Sequence, residues 1–257
     1  MSAARVLWAG WKFYVKSLTL SGFFILTSVL QPIIFATIAF LMFRAGSGEQ
    51  TLLYVALGSG MMGIWSSTLF GSGGAIQWQR WQGTLEYLIA VPPPFVQIIV
   101  PLTLATSTIG LYSLTATLFW GLIFFGVPFD IEHPVLFAIA IPATVIGLGL
   151  LGLVMAASFI LWRSGANALS NLLEYPVWLA TGLLVPIALL PSWVEPISWA
   201  LAPTWGVRAI REAAVGGEPL GPTLLCIGLG LVYLVVGTVL LGYFERLARE
   251  RATLSLT

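Results

Sequence analysis

EYLIAVPPPFVQIIVPLTLATSTIGLYSLTATLFWGLIFFGVPFD, residues 86–130, places 43 uncharged residues between Glu86 and Asp130. A bilayer core takes about 20 apolar residues of helix, so this one stretch exceeds a single span. Pro92, Pro93 and Pro94 cannot continue a helix, because proline lacks the N–H and crowds the preceding turn. The stretch therefore reads as a lead-in followed by a span over 95–125.

The same gaps between charges recur along the chain. They give spans at 19–43, 52–75, 95–125, 135–162, 166–190 and 220–244. Composition agrees: of 257 residues, 58% are hydrophobic and only 8% charged, against roughly 25% charged in soluble domains. Mean hydropathy is +0.97. A soluble globular fold and a disordered chain are both excluded. Sustained two-residue alternation is absent and the runs far exceed barrel strands, which makes a β-barrel a poor alternative. The expected fold is an all-α integral membrane protein with six transmembrane helices, one transmembrane domain over 1–257. The halves show no evident repeat, which disfavours an inverted-repeat carrier.

Several chemistries are also excluded. The net charge of +1 offers no basic patch for nucleic acid. A single cysteine, Cys226, and a single histidine, His133, rule out an intrachain disulfide and a multi-histidine metal centre. No GxxxxGK[ST] loop is present to cradle a nucleotide phosphate.

Charge sorting sets the orientation. With the N-terminus in the cytoplasm, the inner side holds Arg5, Lys12, Lys16, Arg80, Arg163, Arg246, Arg249 and Arg251. The outer side holds only Arg44, Arg208 and Arg211. The expectation is N-in and C-in. The first apolar run is too long for a signal-peptide core and lacks a small-x-small site, so helix one is expected to stay in the mature chain.

Three segments do not read as spans. In 5–18, Leu7, Trp8, Trp11, Tyr14 or Val15 and Leu18 recur at helical spacing, away from Arg5, Lys12 and Lys16. This predicts an amphipathic interfacial helix, either a membrane anchor alone or also a contact to a cytoplasmic partner. In 76–91, Trp78, Trp81, Leu85 and Leu88 form an apolar stripe among Gln77, Gln79, Arg80, Gln82 and Glu86. This predicts a short cytoplasmic helix, with Gly83 at a bend. It either lies on the bilayer or presents polar side chains to a soluble subunit. Segment 191–219 holds Trp193, Trp199 and Trp205, suited to the interface, and a Ser192-x-x-Glu195 capping box. Two short re-entrant helices are expected there, or an external loop without a transport role.

The stretch Gln82-Gly-Thr-Leu-Glu-Tyr-Leu-Ile-Ala-Val-Pro92 between helices two and three resembles the membrane subunits of type-2 ABC transporters. So does the proline and glycine rhythm of Asn171-Leu-Leu-Glu-Tyr-Pro176, Gly182-Leu-Leu-Val-Pro186, Leu190-Pro191 and Pro203 leading to Arg208 and Arg211. The likeness covers nearly the whole chain and is nearest to small bacterial drug- and antibiotic-export permeases. Two departures stand out: Arg80-Trp81 replaces an acid-rich lead-in, and Glu174 is an unusual charge in helix five.

The resemblance implies a coupling helix at 76–91 that docks on an ATPase subunit through Gln79, Arg80, Trp81, Gly83, Thr84, Leu85 and Glu86. It also implies two ATPase subunits and a second permease chain, alike or different, with an amphiphilic substrate exported between the permeases across the cell membrane. ATP and its magnesium ion would bind the ATPase, and this chain itself would be no enzyme and hold no cofactor. Surrounding lipid is the remaining partner.

Residues expected on a substrate path or gate are Gln31, beside Pro32, with Glu174, Trp178, Trp199, Arg208 and Arg211. An ionisable group inside a span is expensive and marks function by default. Glu174 could equally be structural, reaching the interface or pairing with Arg163. Hydroxyls at Thr103, Thr106, Ser107, Thr108, Ser113, Thr115 and Thr117 either bond back to their own helix or face a seam. Gly147, Gly149 and Gly152 predict tight helix contact. Two other function classes remain: a channel or secondary transporter working without ATP, and a non-transporting scaffold or immunity protein.

Overall fold

The computed structural model describes residues 3–44, 49–81, 83, 93–161, 166–183 and 185–251. Among them every regular element is helical: α1 (Ala3–Leu20), α2 (Gly22–Arg44), α3 (Glu49–Trp81), α4 (Val96–Ile109), α5 (Leu111–Phe125), α6 (Pro134–Leu161), α7 (Ala166–Ala180), α8 (Glu195–Trp199), α9 (Ala202–Val215) and α10 (Leu220–Arg251), with a 3-10 turn at Ile187–Leu189. Among the described residues, four stretches are long and apolar enough to cross a membrane: Leu52–Gly74, Val96–Phe125, Pro134–Ile160 and Leu220–Leu247. They mark the chain as a membrane protein.

Burial runs opposite to a soluble fold. The stretch in α10 has the highest mean hydropathy, 2.6, yet only 22% of it is buried; that in α3 has 1.3 and is 83% buried. Apolar side chains such as Leu224, Leu231, Val235 and Val239 face outward from α10. Lipid solvates such a surface, and polarity collects inside, where helices meet.

Helix α3 is the central post. It packs against α2, α4, α5, α6, α7 and α9. Its contact with α4 is lined by hydroxyls: Thr68 and Ser107 lie 2.9 Å apart, and Ser67 Oγ donates to Thr106 O at 3.0 Å. The hydroxyls of α4 and α5 mostly bond back to their own helix, as Thr106 does to Thr103 O (2.8 Å) and Thr108 to Leu104 O (2.7 Å). Most of these buried hydroxyls thereby find partners without water; Thr117 Oγ1 finds none among the described residues. In α6, a Cβ added at Gly147 would meet Cys226, at Gly149 Leu104, and at Gly152 Ser72 and Thr68. All three glycines sit at helix contacts, as their spacing predicts.

Helix α1 lies against α4, its Trp11 Nε1 donating to Thr108 Oγ1 at 3.2 Å. Leu7, Trp11, Tyr14, Val15 and Leu18 are half-buried, and Arg5, Lys12 and Lys16 are exposed. The expected stripe is therefore present, except that Trp8 is exposed and stacks on Trp11.

Several expected boundaries are corrected. The helix expected over 76–91 does not begin at 76: α3 runs on to Trp81. Gly71 and Gly73 inside it are packed against Thr106 and Phe159, and residues 75–81 contain neither glycine nor proline. The chain turns at Gly83, whose φ of +67° is left-handed and suits glycine. The span over 95–125 is two helices, jointed at Gly110 where the backbone abuts Ile64. The helix expected over 166–190 stops at Ala180. Its described part, Ala166–Ala180, has 15 residues and reaches about 22 Å. Pro176 interrupts it, and Gly182 turns the chain at φ +76°. The two short helices expected in 191–219 are present as α8 and α9, but the Ser192–Glu195 capping box is not: α8 begins after Val194 with no side-chain cap.

Candidate functional site

Two groups of polar side chains emerge. The first lies where α2, α3 and α7 meet. Glu174 on α7 is 3% exposed. Ser66 on α3 donates to its Oε1 at 2.7 Å, and Gln31 on α2 donates to the same oxygen at 3.2 Å. Oε2 accepts no hydrogen bond among the described residues, and no basic side chain there lies within ion-pair distance of Glu174. Arg163, the partner expected from sequence, falls outside the described residues.

One turn further along both helices, the contact becomes aromatic. Phe35, four residues after Gln31, meets Trp178, four residues after Glu174, edge to face with ring centroids 5.0 Å apart. Tyr175 also packs edge-on against Trp178, at 5.1 Å. Trp178 is 2% exposed and its Nε1–H has no acceptor among the described residues. Residues four apart share a helix face, so this seam is a two-rung ladder, one rung polar and one aromatic.

The second group lies where α7 ends. Arg211 on α9 is buried and fans across three backbone carbonyls: Nη1 to Gly182 O (2.6 Å), Nη2 to Leu183 O (2.8 Å) and Nε to Tyr54 O (3.2 Å). Its guanidinium also lies over the Tyr54 ring, 3.5 Å from the centroid. The planar five-donor fork of arginine matches such a set, where lysine's single point charge does not. Burial pushes its pKa down to about 10, opposed by the neighbouring Tyr54, so the charge persists at neutral pH. Arg211 ties α9 to the start of α3 and to the turn after α7.

Beside this clasp is a cleft of about 330 Å³, walled by Tyr54, Thr181, Pro186, Trp199, Trp205 and Arg208. Arg208 is exposed, pairs with Glu212 at 2.6 Å and faces the Trp205 ring at 5.9 Å. Trp199 is exposed, and its carbonyl accepts from Trp205 Nε1 at 2.9 Å. The short helices are pinned from behind by Ser198 to Ala180 O, by Thr204 to Ser198 O, and by Tyr233 of α10 to Ala200 O.

The residues expected on one path thus divide. Gln31, Glu174 and Trp178 come together at the seam. Trp199, Arg208 and Arg211 come together at the cleft. Among the expected coupling residues, Gln79 is half-buried and Gly83 exposed. Arg80 and Trp81 are placed only as backbone of α3, and Thr84, Leu85 and Glu86 fall outside the described residues. Sequence reasoning missed Ser66, Phe35, Tyr54 and Glu212. Only Ser66 had a signal, in the polar run Ser66-Ser67-Thr68 inside a span. Comparison with models of known protein families gives no match, and neither does comparison with curated proteins.

Proposed function

We propose that this chain is the permease subunit of an ATP-driven exporter of the type-2 ABC kind. In this reading six helices cross the cell membrane with both termini in the cytoplasm, α2 and α7 supplying the two crossings beyond the four longest stretches. Segment 76–91 is the coupling segment, and the cargo is amphiphilic, moving between two permease chains. The observation that carries the reading is the length of α3. Its 33 residues reach about 50 Å, at 1.5 Å per residue, against a hydrocarbon core of about 30 Å. The most buried span therefore continues as one rod toward Gln82–Pro92, the stretch that resembles a coupling helix. A stiff post from the centre of the bundle to a docking segment is what transmission of ATPase closure requires. The absence of a phosphate-binding motif from the sequence supports a separate ATPase.

The test is purification of the tagged chain from its native membrane. An ATPase subunit should co-purify and hydrolyse ATP faster in the complex. Trp81→Ala and Glu86→Ala should break the link between hydrolysis and transport while the permease still pairs with its second chain. Recovery of the chain without any ATPase, or intact coupling in both variants, would refute the proposal.

A further inference from the structure

Among the described residues Glu174 combines four features: a buried carboxylate, an oxygen that accepts no hydrogen bond, no basic neighbour within reach, and an adjoining aromatic rung. Burying a carboxylate without a counter-charge is expensive, and such sites in membranes mark ligand or ion pathways. Aromatic faces attract cations, organic ones above all. Gln31 and Ser66 hold Oε1 in place and leave Oε2 uncommitted. The Nε1–H of Trp178, unpartnered among the described residues, is an independent sign that this seam lacks something.

Access is lateral. Leu30 and Ile34 on α2, and Leu172 and Tyr175 on α7, are exposed, so the seam lies one side chain below the surface. Both of its helices carry an internal proline beside the polar rung, Pro32 and Pro176. Each removes the N–H that would bond the carbonyl four residues earlier, at Ser28 and Leu172, and so weakens the helix where the seam must part.

We infer that the α2–α7 seam is a binding site for an amphiphilic organic cation, with Glu174 as its counter-charge and Phe35, Tyr175 and Trp178 as its aromatic wall. This rests on the transport reading and narrows its cargo from amphiphiles in general to cationic ones.

The test uses the full chain in nanodiscs without ATP, with tetraphenylphosphonium as probe and tetraphenylborate, its anionic isostere, as control. Binding above that of empty nanodiscs should favour the cation, and Glu174→Gln, which keeps the side chain's shape, should weaken cation binding about tenfold or more. A measurement on the unmodified chain guards against misfolding of the variant. A hydrophobic carbodiimide should label Glu174, and tetraphenylphosphonium should protect it while sodium alone does not. Equal binding of the two isosteres, undiminished cation binding by the variant, or protection by sodium alone would each overturn the assignment. Cation binding by a chain that recruits no ATPase would support the site while refuting the ABC reading. An ATPase-coupled chain whose Glu174 ignores the cation would refute the site alone.

Discussion

Arg211 and Glu174 show what a single charge does in a chain with so few. Arg211 reaches the carbonyls of Gly182 and Leu183, which lie beyond the end of α7, and shares a third, Tyr54 O, inside α3. Such carbonyls need a donor from elsewhere when water is excluded. Arg211→Ala should therefore cost about 2–4 kcal/mol, since hydrogen bonds from a charged donor contribute about 1.5–3 kcal/mol each and are not additive. Arg211→Lys should recover only part of it. Tyr54→Phe should be nearly silent, because the ring under the guanidinium remains. Thermal unfolding in detergent, followed by circular dichroism, measures all three. An unfolding midpoint unchanged in Arg211→Ala would show that the clasp holds nothing.

Sequence reading marked both charges and could not assign their partners. An acid in an apolar run announces itself, but nothing in the spacing says that Gln31 and Ser66, 143 and 108 residues away, will bind it. The expected partner Arg163 was chosen by proximity along the chain. Arg163 lies outside the described residues, among which the partners of Glu174 are an amide and a hydroxyl on other helices.

Elements were legible where their ends carry strong chemistry. Pro92–Pro94 marked where the chain could begin α4. Helix ends were misplaced where tertiary contact overrides local preference. Gly71 and Gly73 did not end α3, because their bare backbone is what lets Thr106 and Phe159 of neighbouring helices approach. A glycine at Gly182 did end α7, because it turns left-handed and hands its carbonyl to Arg211.

This contrast makes a prediction about elements. A Cβ at Gly63 would overlap the Ser113 side chain and lie 2.6 Å from Pro32 Cγ, where α2, α3 and α5 meet, whereas one at Gly74 meets nothing within 4 Å. Gly63→Ala should destabilise the protein by about 1–3 kcal/mol through overpacking. Gly74→Ala should leave it unchanged or raise its stability by up to about 1 kcal/mol, the helix-propensity difference. Gly63 stands three residues before Ser66, so Gly63→Ala should also disturb the Glu174 seam, while Gly74→Ala should not. Unfolding midpoints of the two variants, measured side by side, decide it. Equal effects would mean that the α2–α3–α5 crossing has slack to absorb a methyl group.

At the scale of the molecule, the open quantity is direction across the bilayer. Charge sorting puts α1 on the cytoplasmic side and α8, α9 and the Gly216–Pro219 turn outside. In the fold α1 packs on α4, and α9 packs on α3, α6 and α10. Cys226 is the single cysteine of the chain and is fully buried, so it should stay silent to a membrane-impermeant maleimide without being replaced. Lys12→Cys and Glu218→Cys then report the two faces, since both positions are exposed. In intact cells Glu218→Cys should be labelled and Lys12→Cys should not; after permeabilisation both should be. The reverse pattern would invert the topology and put the Gln82–Pro92 stretch outside, where no ATPase could reach it. Labelling of both positions in intact cells would mean that the termini lie on opposite sides of an odd number of spans. In that case one of the six proposed crossings, α2 or α7 first among them, does not cross.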